Sequence, residues 1–197
     1  MIAYLQGKIT HKDPAYVIID VGGVGYEVKI SLQTYSTIPL AGEVVKLLIY
    51  QQIREDAHVL YGFAEPAEKT LFLDLITVPG VGAATALVML SSLSAIEIKQ
   101  AIINENLKLI QTIKGIGSKT AQRVIIDLKD KIKKEGLVPT QLPSTSTQAG
   151  SQTRSEAIAA LVMLGIPKPT AEKSVDTILK REGEHIAVEQ LIKLALR

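Results

Sequence analysis

The chain of 197 residues contains no cysteine. This absence excludes disulfide bonds, zinc sites built from thiolates and cysteine nucleophiles, and it fits a reducing compartment. The chain also lacks an opening basic segment followed by an apolar stretch, which a secretory leader would show. We therefore expect a cytoplasmic protein.

Neither sign of charge is in large excess, because the net charge at pH 7 is only +2. A balance this small does not by itself indicate a protein that binds nucleic acid. The charges are unevenly distributed, however: residues 1–63 carry five basic and six acidic groups, whereas residues 108–134 carry eight basic groups against two acidic ones. Segregated positive charge is what a face that binds phosphates requires.

Long uncharged runs are rare, and the one at residues 75–96 is long enough to span a bilayer. It contains Pro79, Gly80 and Gly82, however, and a related copy of it further along the chain is charged. We therefore interpret the run as a buried pair of helices with a turn between them.

The first segment, residues 1–63, is predicted to form β-strands. A polar–apolar alternation with period two marks residues 25–30 as a half-buried strand. Gly22-Gly23 supplies a turn after a segment rich in Val and Ile. The predicted strands cover residues 2–9, 15–21, 25–30, 44–53 and 59–63. Five short strands are typical of a small barrel such as the OB fold, although a five-stranded sandwich has the same pattern.

Beyond residue 63 the apolar pattern changes to the helical period. Val124, Leu128 and Ile132 recur at i, i+4 and i+8, which indicates one face of a helix. We predict a central helical domain over residues 64–136. The fold class is thus α+β with several domains.

The C-terminal segment, residues 154–197, is predicted to be a small three-helix bundle. A capping box at residues 153–156 opens its first helix, and Gly165 ends it. Residues 137–153 have no charged side chain and are rich in Pro, Ser, Thr and Gln. Such a composition buries too little apolar surface to fold, so we predict a flexible linker there.

An internal duplication gives the main functional signal. Residues 77–86 align with residues 112–121 at an offset of 35, with Thr, Gly, Gly, Thr and Ala at the same places. Each copy places a Gly-x-Gly turn between two helices. Glycine permits a positive φ and leaves no Cβ between the backbone and a ligand, and the following helix presents free N–H groups that favour phosphate oxygens. The sequence therefore predicts two helix-hairpin-helix elements that bind DNA through its backbone.

The predicted DNA-binding residues belong to the two turns and to the helices that follow them. In the second copy, Lys119 and Arg123 lie four residues apart on one helix face, where both can reach one strand. In the first copy, Ala83-Ala84 follows the turn, so that only backbone groups and the start of the helix are available there to bind DNA. The predicted set is Gly80, Val81, Gly82, Thr85, Gly115, Ile116, Gly117, Ser118, Lys119, Thr120 and Arg123.

We predict no catalytic residue, metal ligand or cofactor. Residues 117–120 resemble the end of a P-loop, but Ser118 stands where that motif requires glycine, so no ATP hydrolysis is expected. The alternative is a helix-hairpin-helix DNA repair enzyme, a glycosylase or a nuclease. A glycosylase needs a buried aspartate, and its candidate, Asp127, lies near Lys129 and Lys131, where a solvated ion pair is expected.

Several short segments along the chain together match one family pattern. They are MIAYLQG at 1–7, GGVGY at 22–26, RED at 54–56 with LYGF at 60–63, the two hairpins, and residues 156–165. On these segments the whole chain resembles the RuvA family, the Holliday junction-binding subunits of the bacterial branch-migration machine.

The resemblance implies a four-fold tetramer, or an octamer on DNA, whose flat basic face holds a four-way junction open. It also implies a hexameric ATPase motor of the RuvB type as partner, a RuvC-type resolvase that shares the junction, and a role in recombination, DNA repair and the SOS response. The C-terminal bundle would be the docking site for the motor. Its candidate docking residues are Leu161, Leu164, Gly165 and Ile178, of which the apolar ones would serve equally well as core.

By the same resemblance, Glu55 and Asp56 correspond to an acidic pin at the centre of the tetramer. Two carboxylates among phosphates would repel the backbone and steer the strands apart. The residues alone fit an ordinary solvated hairpin turn as well. The chain departs from the family at Ala83-Ala84, where a Pro-Lys pair is common, and at Ser118, where lysine is frequent. We therefore expect the first hairpin to lack a side-chain contact with phosphate.

Overall fold

The computed structural model describes residues 1–136, 149–182 and 186–196, and the chain divides into two compact units, Met1–Thr140 and Gln141–Arg197. Most of the predicted linker, residues 137–148, lies outside the described residues.

The first part of the first unit is a closed β-barrel. Its strands are β1 (Tyr4–Lys12), β2 (Tyr16–Val21), β3 (Val24–Ile30), β4 (Val44–Ile53) and β5 (His58–Phe63). Strand β1 pairs antiparallel with both β2 and β4, and β3 pairs parallel with β5, which closes the order β1-β2-β3-β5-β4. The predicted OB-like barrel is confirmed, and the sandwich alternative is excluded.

A short helix, α1 (Leu32–Thr37), lies between β3 and β4 and was not predicted. Its six residues make less than two turns, which is too short for an apolar period to show in the sequence. The Ser31 hydroxyl caps the helix by accepting from the Thr34 N–H at 3.0 Å. Capping of this kind satisfies one of the free donors at a helix start.

Five helices complete the first unit. They are α2 (Pro66–Thr77), α3 (Ala83–Ser92), α4 (Ala95–Ile103), α5 (Leu107–Gln111) and α6 (Ser118–Gly136). The face predicted from Val124, Leu128 and Ile132 is buried, at 0–2% exposure, as the 3.6-residue period requires. The predicted central helical region is confirmed.

The barrel has its own apolar core, but the end of β5 belongs to the apolar core of the helices, although the sequence pattern separates barrel and helices at residue 63. The ring of Phe72 in α2 lies 4.8 Å from that of Phe63 and 5.4 Å from that of Tyr61, both in β5. Phe63 and Phe72 are fully buried, and each such side chain contributes roughly 1.5–3 kcal/mol of stabilisation. The barrel is therefore a rigid base for the helices.

The described residues of the second unit form three helices, α7 (Ala149–Met163), α8 (Lys168–Glu182) and α9 (Val188–Ala195). The predicted bundle is confirmed, but its first helix begins at Ala149 and not at the predicted cap, Thr153. The bundle has its own apolar core, and the Arg154 guanidinium joins α7 to α8 by two hydrogen bonds to Asp176, at 2.6 and 2.9 Å.

No single helix in the described parts of the chain is long and apolar enough to cross a membrane. The helices Ala83–Ser92 and Ala95–Ile103 together have the length and apolar composition of a membrane span, but the chain bends by 97° between them.

Candidate nucleic-acid interface

The first glycine turn lies between α2 and α3 and is held by its own backbone. The Thr77 hydroxyl donates to the Asp74 carbonyl at 2.6 Å, and the Val81 N–H donates to the Val78 carbonyl at 3.0 Å. Gly80 has a φ of +97°, a conformation that side chains other than glycine rarely adopt. The glycine is thus required by the turn itself.

The second turn, between α5 and α6, repeats these contacts 35 residues further on. The Thr112 hydroxyl donates to the Leu109 carbonyl at 2.7 Å, and the Ile116 N–H donates to the Ile113 carbonyl at 3.1 Å. Gly115 has a φ of +89°. The duplication in the sequence is therefore a duplication of structure, down to individual hydrogen bonds.

Both turns leave the start of the next helix open to a ligand. Gly82 caps α3 without any side-chain hydrogen bond, and a Cβ at Gly82 or at Gly117 would have no atom within 4 Å. Helix starts carry free N–H donors and a partial positive charge, which attract anions. A phosphate can thus approach both helix ends closely.

The first turn lies against the beginning of α6, and together they form one groove. A Cβ on Gly80 would lie 3.6 Å from the Thr120 hydroxyl oxygen, so the first turn touches the start of α6. The groove has a volume of about 370 Å³. Its lining residues are Pro79, Gly80, Lys119, Thr120, Gln122, Arg123 and Ile126. The cations of the second hairpin therefore lie next to the first turn, which has no cation of its own.

The basic charge of this region is only partly available to a ligand. Lys129 donates to Glu105, and that contact holds the pKa of the Glu105 carboxyl below its ordinary value, with Lys133 adding a smaller effect. Lys131 pairs with Asp74, which is buried. Within the described residues, Lys119 and Arg123 form no ion pair. Lys119 and Arg123, in the first two turns of α6, are thus the cations of the groove that remain available to a ligand.

Two of the predicted DNA-binding residues contribute no side chain to the surface. Val81 and Ile116 are 4% and 6% exposed and belong to the apolar core, so that only their backbone is available. Thr85 and Thr120 are half-buried, and Ser118 is exposed. The duplication located both turns along the chain, but it did not distinguish a core residue from a surface one.

The sequence interpretation missed four residues of this surface, Pro79, Lys114, Gln122 and Ile126. Lys114 is exposed immediately before Gly115, and it aligns with Pro79 in the first copy. Ile126 is 72% exposed and lies on the same side of α6 as Lys119, which helical spacing alone indicates. Both could have been found by extending the alignment and the helical period by a few residues.

Glu55 and Asp56 lie at the exposed tip of the loop between β4 and β5. The Arg54 N–H donates to the Ala57 carbonyl at 2.8 Å and closes that loop into a tight turn. Both carboxylates therefore face solvent at the end of a rigid hairpin of the barrel.

The predicted docking residues of the bundle have different surroundings. Leu161 is fully buried in the core of the bundle, so it is a core residue and its side chain is not available to dock a partner as predicted. Ile178 is half-buried against the same core. Leu164 is 62% exposed, and Gly165 has a φ of +93° just after the end of α7. Leu164 is thus the apolar side chain of this set that a partner can reach.

The described residues contain no group of three His, Asp or Glu side chains that could hold a metal ion. Asp127, the candidate for a glycosylase, is exposed on α6 and does not lie in a base-sized pocket of the described structure.

Comparison with known protein families gives three matches. Residues 1–62 match the RuvA N terminal domain, residues 72–130 the SAM-like helix-hairpin-helix tandem, and residues 152–197 the RuvA C-terminal domain.

Full-length relatives agree with these matches. Proteins named Holliday junction branch migration complex subunit RuvA are similar to this chain over its whole length. The relative from Cytophaga hutchinsonii is 48% identical over 198 residues, which is 99% of its length. Those from Amoebophilus asiaticus and Bacteroides fragilis are 46% and 48% identical, over 100% and 99% of their lengths.

Proposed function

This chain belongs to the RuvA family, and on that premise we propose that it binds four-way (Holliday) junction DNA as the non-catalytic subunit of a branch migration complex. The observation that supports the proposal is the groove in which the first turn meets α6 of the second hairpin, where Lys119 and Arg123 have no ion pair among the described residues. The complex acts in DNA recombination and repair.

The groove binds phosphates by position and charge. Free N–H groups at the starts of α3 and α6 donate to phosphate oxygens, and the two cations neutralise the same stretch of backbone. Contacts to phosphate fix the register of a protein on DNA without reading sequence, so recognition rests on the shape of the DNA.

A single copy of this surface is a weak binder, which supports oligomerisation. A helix end contributes on the order of 0.3–1 kcal/mol to holding an anion. Linking several copies raises avidity by roughly 10²–10⁴ when all can engage together. The protein therefore acts as a homotetramer, or as an octamer on DNA, and the four arms of a junction match four copies.

Glu55 and Asp56 are proposed to act as the acidic pin at the centre of that tetramer. Their position at the exposed tip of a rigid hairpin supports this role, because two fixed carboxylates repel phosphates that approach the crossover.

The C-terminal bundle is proposed to dock a RuvB-type ATPase motor, which supplies the energy for branch migration. Exposed Leu164, with Val162 and Met163 beside it at 41% and 89% exposure, supports a contact at the end of α7. A RuvC-type resolvase shares the junction. The complex works in the cytoplasm, where bacterial DNA lies.

The decisive experiment compares the purified protein on a four-way junction and on a duplex of equal length. We expect far tighter binding to the junction, and no cleavage of either DNA with or without Mg²⁺. Equal affinity for the two DNAs would contradict the junction proposal. A cut product would instead favour the alternative of a repair enzyme.

A further inference from the structure

Three buried polar side chains of the first unit meet at one point, where the barrel joins the helices. Glu68 of α2 is 6% exposed, and Ser31, which caps α1, and Thr34 of α1 are fully buried. The Ser31 hydroxyl donates to Glu68 Oε1, and the Thr34 hydroxyl donates to Glu68 Oε2 at 2.7 Å. The Thr34 oxygen in turn accepts from the Ala64 N–H at 3.2 Å. Each oxygen of the carboxylate thus accepts from a separate hydroxyl of the segment that connects β3 and β4.

This cluster has no cation among the described residues. Burying a carboxylate is unfavourable unless hydrogen bonds replace its hydration, so the two hydroxyls are what makes Glu68 tolerable there. An apolar side chain of similar size would fill the space with less desolvation, but it would not fix a direction. A carboxylate bound at both oxygens sets the orientation of α2 against α1.

The same short helix also holds α3. The Leu32 N–H, in α1, donates to the Ser91 hydroxyl of α3 at 3.2 Å, and that hydroxyl donates to the Leu87 carbonyl at 2.8 Å. Helix α1 therefore contacts both helices that flank the first glycine turn. The second hairpin is attached indirectly, because α6 packs on α2 and α4 and contacts the first turn through Thr120.

From this arrangement we infer that Glu68 is a positioning residue for junction recognition, which fixes the first hairpin, and through it the groove, relative to the barrel and its acidic tip. The inference rests on the proposed function. A duplex engages the groove alone, whereas a junction must meet the groove and the tip at Glu55 and Asp56 together. The angle between barrel and hairpins thus matters for a junction and not for a duplex.

The test is Glu68→Gln in the full-length protein. This variant keeps the size of the side chain but leaves only one acceptor oxygen for the two hydroxyl donors. Binding to junction and duplex is measured, together with FRET between dyes on adjacent junction arms. The groove and the acidic tip can engage a junction together only if their relative positions fit it. We therefore expect junction affinity to fall by at least about tenfold, while duplex affinity stays within about twofold of wild type. The FRET signal should shift away from the wild-type arm geometry.

Ile98→Val is the matched control, because Ile98 is fully buried in α4 and takes no part in the hydrogen bonds of Glu68, Ser31 and Thr34. It should lower the melting temperature and leave the junction preference and the FRET signal unchanged. If Glu68→Gln behaves like Ile98→Val, the inference is overturned.

Thr34→Ala is the second variant, in case Glu68→Gln does not fold. It removes one of the two donors, and it should lower the junction preference in the same direction by less. A folded Thr34→Ala with the wild-type preference would equally overturn the inference. A wild-type protein without any junction preference would overturn the proposed function itself, before any variant is compared.

Discussion

At the scale of single residues, the cations of α6 differ in what they contact, and this sets their value for binding DNA. Lys119 lies in the groove without an ion pair among the described residues, whereas Lys129 is held by Glu105. Both belong to the same helix and to the same charge-rich segment. A lysine that already has a carboxylate partner adds little net charge at the surface.

Lys119→Ala should therefore weaken binding to all sequences alike, since a phosphate contact has no base preference. It should also reduce the slope of log affinity against log salt concentration by about 0.9 for each contact that is lost. The measurement is a salt titration of junction binding. Lys129→Ala is the matched control and should change both quantities much less. A loss that depended on DNA sequence would contradict the backbone mode of binding.

Glu105 is the other residue of interest at this scale. It is the non-glycine residue of the described chain with a positive φ, +53°, a conformation that is unfavourable for a side chain of this kind. Its contact with Lys129 in α6 helps to hold the turn between α4 and α5 in place.

Glu105→Gln should lower the melting temperature slightly at neutral pH, and the difference from wild type should disappear in acid. Because the pKa of Glu105 is lowered in the folded protein, the contact stabilises the fold above the ordinary value of 4.5 and is lost as the pH falls through the lowered value. Thermal melts of both proteins over a pH series measure this. A difference that persisted in strong acid would show that the charge is not the cause.

At the scale of the elements, the glycines of a turn have two different roles. One adopts a backbone conformation that other residues rarely adopt, and the other leaves the start of the next helix open to a ligand. Gly115 has the first role, with its φ of +89°, and Gly117 has the second. A Cβ at either position would meet no atom within 4 Å, so an alanine at either position would not clash with its surroundings.

Gly115→Ala should reduce the free energy of unfolding by about 1–2 kcal/mol, the usual penalty for a left-handed conformation. Gly117→Ala should change it by less than about 0.5 kcal/mol, as surface substitutions do, and yet weaken DNA binding because a methyl group meets the approaching phosphate. Urea denaturation and junction titration of both variants distinguish the two roles. Wild-type affinity in Gly117→Ala would mean that phosphate does not approach this helix start closely.

At the scale of the whole molecule, two compact units with separate apolar cores lie on one chain. The groove and the acidic tip belong entirely to the first unit, and the exposed apolar end of α7 belongs to the second. On the proposed function, DNA binding and motor docking would thus belong to different units.

A chain that ends at Thr140 should fold, keep junction binding within about twofold, and lose all stimulation by the motor. The physical reason is that truncation there removes no residue from the core or the groove of the first unit. Junction titration and a branch migration assay with a RuvB-type motor measure the two effects. Loss of junction binding in a folded truncated protein would contradict the separation of roles.

The sequence by itself determined the elements and the repeat. Alternation with period two, segments rich in Val and Ile, and turn residues predicted the five strands, the helical period predicted the buried face of α6, and the duplication predicted both turns. These patterns are local, because they depend on each residue and its near neighbours along the chain. For the same reason the six-residue helix α1 escaped detection.

Only the tertiary structure decided which of these residues act together. Gly80 meets Thr120, Lys131 meets Asp74, and Glu68 meets Ser31 and Thr34, all across 34 to 57 residues of chain. Such contacts follow from how helices pack on the barrel, and no local pattern encodes that. The two hairpins, matched in sequence, thereby became one groove whose charge comes from a single helix.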